Sequence, residues 1–152
     1  MLLSTKFHRP LSLGRLTERP RLDARLDQGI SNGCPLFLVV APAGFGKSTL
    51  VSAWLRKQKM PSSWLSLDSG DNDPGQFLSY LVGELQAIDP GLGSTQMNRI
   101  QTAAMADSEA VYADVLKILV NEIAAQPVEF LLVLDDCHLL KNPAVLSLLN
   151  FL

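Results

Sequence analysis

The stretch from Leu36 to Val51, LFLVVAPAGFGKSTLV, constrains the fold of this chain more than any other. An apolar run breaks into a glycine-containing turn and then into helix formers, which reads as a strand, a phosphate loop and a helix. Leu36, Phe37, Leu38, Val39 and Val40 show no alternation. The strand predicted from them is therefore covered on both faces, as in a parallel sheet flanked by helices. The turn that follows, Ala41, Pro42, Ala43, Gly44, Phe45, Gly46, Lys47, Ser48 and Thr49, matches G-x-x-x-x-G-K-[ST] with alanine in the first position. Glycine at 44 and 46 lets the backbone take left-handed angles and turn successive N–H groups inward around one anion. The helix expected from about Lys47 aims its unpaired N–H groups, equivalent to roughly +0.5 charge, at the same point. In this arrangement the Lys47 ammonium reaches the β and γ phosphates, the Ser48 hydroxyl ligates Mg²⁺ and Thr49 lies near the α phosphate. ATP or ADP with Mg²⁺ is the ligand these residue types suit.

A second apolar run without alternation, Phe130-Leu131-Leu132-Val133-Leu134, ends in Asp135-Asp136. Hydrophobes followed by an acid form the other half of such a site, because parallel strands open their C-terminal ends on one edge, where ligands bind. Asp135 is expected to emerge beside the phosphate loop and to hold Mg²⁺. Asp136 is a candidate catalytic residue that polarises the water attacking the γ phosphate. An ordinary strand-end turn is the competing reading of the pair.

At 152 residues the chain has the size of one domain and can bury a core. With 47% apolar and 18% charged residues it is neither disordered nor collagen-like, and a net charge of −2 gives no electrostatic footprint for nucleic acid. Cys34 and Cys137 offer neither a disulfide framework nor metal-ligand spacing. No apolar run approaches a membrane span or a signal-peptide core, so the expectation is a cytoplasmic protein with no membrane contact.

Residues 1–19 are basic and proline-punctuated (Lys6, His8, Arg9, Arg15, Arg19) and read as a solvated arm lying on the domain of residues 20–152. Pro20 to Ile30 carries Leu22, Leu26 and Ile30 on one helix face. The phosphate-loop helix is predicted to run through Trp54 and Leu55 and to end in Arg56-Lys57-Gln58-Lys59 ahead of Pro61, followed by a strand over Ser63–Leu67. The acidic run Asp68-Ser69-Gly70-Asp71-Asn72-Asp73-Pro74 fails the order of a calcium loop and reads as a turn plus helix cap. Gly75–Ala87 is predicted helical, 89–107 a loop with room for a short helix, and Ser108–Ala125 a helix that Asp107 or Ser108 can cap. A last helix is expected from Pro143 to Leu152 and looks cut off.

Taken together, RPRLDARLDQGI (19–30), LVVAPAGFGKSTLVSAWL (38–55), WLSLDSGDNDPGQFLSYLVGEL (64–85) and FLLVLDDCHLLKNPAV (130–145) resemble the large ATP-dependent LuxR-type regulators related to MalT. These are signal-transduction ATPases of the STAND class. The second and third blocks are the specific ones, since a phosphate loop alone marks a vast superfamily. Ser48 stands where many relatives carry threonine, and Cys137 where an aromatic often follows the acids; neither removes a needed group.

The resemblance implies an α/β fold, a P-loop NTPase with a parallel sheet flanked by helices, here an incomplete, NACHT-like ATPase module. It also implies a nucleotide-operated switch with weak ATPase activity in the complete module. The inducer and self-association belong to the full-length protein, and DNA is bound only through a C-terminal helix-turn-helix absent from this chain. A later strand would lie between the phosphate-loop strand and the strand carrying Asp135, so an isolated 152-residue fragment is expected to be inactive and aggregation-prone. A metabolic kinase using the same cradle, and a remnant that binds nucleotide without turnover, are the alternatives. The kinase predicts an arginine-rich lid, and 89–107 holds only Arg99.

Overall fold

The computed structural model describes residues 3–10, 18–106 and 109–152. They divide into two compact units, Met1–Arg9 with Met60–Leu152, and Pro10–Lys59. The first unit holds a parallel pair of strands, β1 (Ser62–Ser66) and β2 (Leu131–Asp135), with Trp64 opposite Val133 and Ser66 opposite Asp135. The predicted strands at Ser63–Leu67 and Phe130–Leu134 are thus found, each within one residue. Parallel neighbours need a crossover, and here it carries helices α3 (Pro74–Ile88), α4 (Gln96–Ala106) and α5 (Glu109–Ala124). The helix α6 (Pro143–Phe151) follows β2.

Each of these helices has a local cause. Asp73 caps α3 by accepting the Gln76 N–H at 2.7 Å, and Pro74 occupies the first turn, where its missing N–H costs nothing. Phe77, Leu78, Leu81 and Leu85 then fall on one face and are fully buried. Burial of each contributes about 1.5–3 kcal/mol. Asn142 caps α6 in the same way through the Ala144 N–H at 2.9 Å. The caps proposed for α5, Asp107 and Ser108, lie outside the described residues.

Two expectations are corrected. Residues 89–107 are not mainly loop, because α4 runs from Gln96 with Ile100 and Ala103 buried. Its spacing of three and its small or flexible apolar side chains give a weak periodic signal, and Gly91 and Gly93 just ahead of it suggest a longer break than the chain makes. Gly93, at φ +64°, turns the chain beneath the core, and a Cβ there would stand 2.9 Å from both Leu119 Cδ2 and Val82 Cγ1. Gly93→Ala is expected to lower stability by about 2–4 kcal/mol, the left-handed penalty plus overpacking. The check is a fall in the urea midpoint at constant slope, and an unchanged midpoint would mean that Val82 and Leu119 move aside freely.

The second correction concerns the predicted strand at 36–40. It has no strand partner among the described residues, whose only sheet is β1-β2, and it takes no regular secondary structure. Leu36, Leu38 and Val40 are 75%, 82% and 79% exposed, while Phe37 and Val39 are half-buried. The expected cover on both faces is therefore not there. An unalternated apolar run states what the side chains prefer, but a strand also needs hydrogen-bonding neighbours, and the run cannot supply those itself.

In the second unit the helices are α1 (Pro20–Ser31) and α2 (Lys47–Leu55). Asp27 joins them by accepting from Trp54 Nε1 at 2.7 Å and Gln58 Nε2 at 2.9 Å, and Asp23 holds Lys57 at 2.8 Å. The Phe37 ring lies over Gly29, filling the space where a side chain would stand, and its centroid is 6.4 Å from that of Trp54.

Candidate functional site

In the second unit the residues from Ala41 to Thr49 form one turn that leads into α2. Gly44 (φ +81°) and Gly46 (φ +77°) both take left-handed angles, as the motif requires of them. Ala41 does not, so this turn needs no glycine at the motif's first position. The Phe45 N–H bonds to the Pro42 carbonyl at 3.4 Å, and the Leu50 N–H to the Gly46 carbonyl at 2.9 Å. Since the helix begins at Lys47, the N–H groups of Lys47, Ser48 and Thr49 have no partner one turn earlier within it. The start of α2 therefore offers N–H donors and the positive end of its dipole to an anion.

The Lys47 ammonium is folded across the same turn, donating to the Ala41 carbonyl at 2.8 Å and the Pro42 carbonyl at 3.2 Å. These two carbonyl oxygens occupy it as phosphate oxygens would. The Ser48 side chain, in the first turn of α2, is half-buried. Left-handed glycines, an ammonium, a hydroxyl and unpaired N–H groups together fit a polyphosphate. No three His, Cys, Asp or Glu side chains among the described residues cluster to hold a metal.

In the first unit Asp135 ends β2. Its carbonyl accepts the Leu67 N–H at 3.0 Å, and its Oδ1 accepts the Asp136 N–H at 3.0 Å. Asp136 has φ 60° and ψ 31°, a left-handed conformation that aspartate tolerates better than most residues. Its carboxylate is exposed, with Oδ1 3.6 Å from His138 Nδ1. Burial, with Asp135 and Asp136 adding to it, pushes the Cys137 thiol up from its ordinary value.

The loops leaving the two strands are fastened to each other. Asn72 Oδ1 accepts the Lys141 and Asn142 N–H groups, its Nδ2 donates to the Leu139 carbonyl at 3.0 Å, and Asn142 Nδ2 donates to the Asn72 carbonyl at 2.8 Å. Each polar residue of Asp71-Asn72-Asp73 thus has its own task. Asp73 caps α3, Asn72 fixes the chain just after Asp136, and Asp71 is fully buried against Lys6. Lys6 Nζ donates to both Asp71 oxygens at 2.7 and 2.6 Å, and Asp68 Oδ2 stands 2.9 Å away. The basic arm expected to be solvated therefore sends one lysine inside. Sequence reading missed Lys6, Asp71 and Asn72, since a turn-forming acidic run carries no mark of which side chain points inward.

Glu84 was missed as well. It is 2% exposed, and its Oε2 accepts the Trp64 N–H at 3.0 Å. Alternate residues face opposite strand edges, and Leu67 bonds to β2, so the Trp64 N–H points off the other edge of β1. Glu84 thereby closes that edge to a further strand. Burial pushes its carboxyl up against the Trp64 bond, which favours the charged form.

The model of the AAA ATPase domain family matches residues 12–152, nearly the whole chain and both motif regions. The chain belongs to that family. An AAA ATPase domain implies nucleotide binding, usually with Mg²⁺, and an α/β fold with a parallel sheet and flanking helices. The chain is also 38% identical, over 151 residues, to the HTH-type transcriptional regulator MalT of Cronobacter sakazakii. That alignment covers 99% of this AAA ATPase domain chain and 16% of the relative, so the chain spans about one sixth of the protein it matches. No helix of the described residues is long and apolar enough to cross a membrane.

Proposed function

We propose that this chain is the nucleotide-holding part of a cytoplasmic, ATP-operated transcriptional regulator, a switch whose ADP and ATP forms differ in their readiness to self-associate. What carries the reading is the phosphate loop, with its two left-handed glycines and its lysine already occupied by carbonyl oxygens, in a chain similar to a named transcriptional regulator.

The residues proposed to hold nucleotide are Ala41 to Thr49, with Lys47 on the β and γ phosphates. Mg²⁺ held by Ser48 and Asp135 would neutralise phosphate charge when bound. Asp136 is proposed to accept a proton from the attacking water. The inducer acts on the full-length protein, and DNA is contacted by a helix-turn-helix outside this chain. To move such a switch from 1:99 to 99:1, nucleotide and inducer together must favour one state by roughly 5.5 kcal/mol.

Two measurements on the full-length protein test this. The first is saturable binding of Mg²⁺-ATP and Mg²⁺-ADP, whose absence ends the proposal. The second is Asp136→Asn, which keeps a residue at ease with a positive φ and removes the base. ATPase turnover is expected to fall about 100-fold or more while nucleotide affinity holds. Undiminished turnover would withdraw the base from Asp136, and binding with no turnover in the unaltered protein would leave a nucleotide-holding module only. Phosphate transfer to a small acceptor would support the kinase alternative.

A further inference from the structure

We infer that Asn72 is a positioning residue for ATP turnover, a clamp on the segment that carries Asp136. The inference rests on the reading of Asp136 as the base and extends it to a residue outside both motifs. Among the described residues Asp136 is the one non-glycine at positive φ. A left-handed angle strains even an aspartate, so it persists only where the surrounding chain over-determines it. Upstream the holder is β2, where the Asp135 carbonyl accepts the Leu67 N–H at 3.0 Å. Downstream the chain turns on itself, with the Leu139 N–H on the Asp136 carbonyl at 3.0 Å, and that turn is what Asn72 grips.

The amide is used completely. Its Nδ2 donates to the Leu139 and Ser69 carbonyls, both at 3.0 Å, and its Oδ1 accepts the Lys141 and Asn142 N–H groups. Two donor hydrogens and two lone pairs are thus all engaged, and a carboxylate of the same shape would lack the donors. The clamp has a firm footing, because Asp71 on one side is buried against Lys6 and Asp73 on the other caps α3. Leu140 in the core and the Asn142 cap anchor the chain further on. What the Asn72 amide adds is the placement of the turn just after Asp136. A reacting group displaced by about 1 Å can cost about 100-fold in rate, so that placement bears on turnover rather than on binding.

The test is a double-mutant cycle on the full-length protein, read as turnover of Mg²⁺-ATP and as affinity for Mg²⁺-ADP. Asn72→Ala is expected to lower kcat about tenfold or more. Affinity for Mg²⁺-ADP should stay within about twofold, since the loop proposed to hold nucleotide belongs to the other unit. In the Asp136→Asn background the same substitution should cost nothing further in residual turnover, because residues that act through one another are not additive. Equal losses of turnover in both backgrounds would show a general effect on the fold and overturn the inference. Undiminished turnover in Asn72→Ala, with Asp136→Asn impaired, would overturn it alone. Asn72→Asp keeps the size and the acceptor and loses the donors, so kcat should fall there too. That variant carries the cycle if the alanine protein melts well below the parent. Turnover untouched by Asp136→Asn would instead remove the base and, with it, this inference.

Discussion

Lys47→Ala is expected to abolish nucleotide binding, lowering affinity for a fluorescent ADP analogue by about 100-fold or more. Hydrogen bonds to charged groups contribute about 1.5–3 kcal/mol each, and a factor of ten corresponds to about 1.4 kcal/mol. In the free protein the ammonium already has two carbonyl acceptors, Ala41 and Pro42. Binding therefore exchanges partners, and the measured loss is the difference between phosphate and carbonyl as acceptors for a cation. Phosphate wins because it carries full charge. The folded state should hardly notice the substitution without ligand, since the Pro42 carbonyl lies on an exposed residue that water can reach. Nucleotide at 100 times its dissociation constant stabilises the parent protein by about 2.7 kcal/mol, and the variant should show almost none of that. Retained affinity for the analogue would remove the site altogether.

How far the residues announce this arrangement depends on the kind of interaction. The turn from Ala41 to Thr49 was legible because its geometry is local: glycines at 44 and 46 set the angles and the helix start sets the dipole. The strands at Trp64 and Val133 were legible because each finds its pairing partner within the same unit, with β1 buried at its centre and β2 half-buried throughout. Residues 36–40 read identically and behave differently. Nothing among the described residues pairs with them, and hydrophobicity reports a demand for burial rather than its supply. Lys6 illustrates a third case. A lysine in a proline-punctuated arm resembles every solvated lysine, and its buried partner lies 65 positions away. Local patterns carry no trace of such a pairing, nor of Glu84 reaching back to the Trp64 N–H.

That distant pair carries the largest stability effect expected here. Lys6 is 6% exposed and Asp71 0%, and the ammonium also lies 4.4 Å from the Tyr80 ring centroid. Lys6→Met keeps the length of the stem and deletes the charge. It leaves Asp71 with the Asp68 N–H at 2.8 Å and a long contact from Gln76, which does not compensate a buried carboxylate. Breaking one side of a buried pair costs about 3–5 kcal/mol, much of it the stranded charge. If so, Lys6→Met with Asp71→Asn should recover a substantial part of the loss, because the second change removes what the first one stranded. A double variant no more stable than the single one would locate the cost in lost contacts of the lysine stem with Tyr80 instead. The pH dependence follows from the same geometry. Burial works to lower the Lys6 value, but bonds and charges from Asp71 and Asp68 outweigh it and hold the ammonium above the ordinary lysine range. Its contribution is therefore complete below that range and lost as pH rises through the raised value. Asp68 is held below the usual carboxylate range, chiefly by the Lys6 bond. Its contribution is present above that range and fades only as pH falls through the lowered value. Between those limits the anchor should be insensitive to pH, and added salt should weaken it little, since screening acts mainly on exposed charges. A denaturation midpoint that drifted across neutral pH in the parent protein, and not in Lys6→Met, would contradict this.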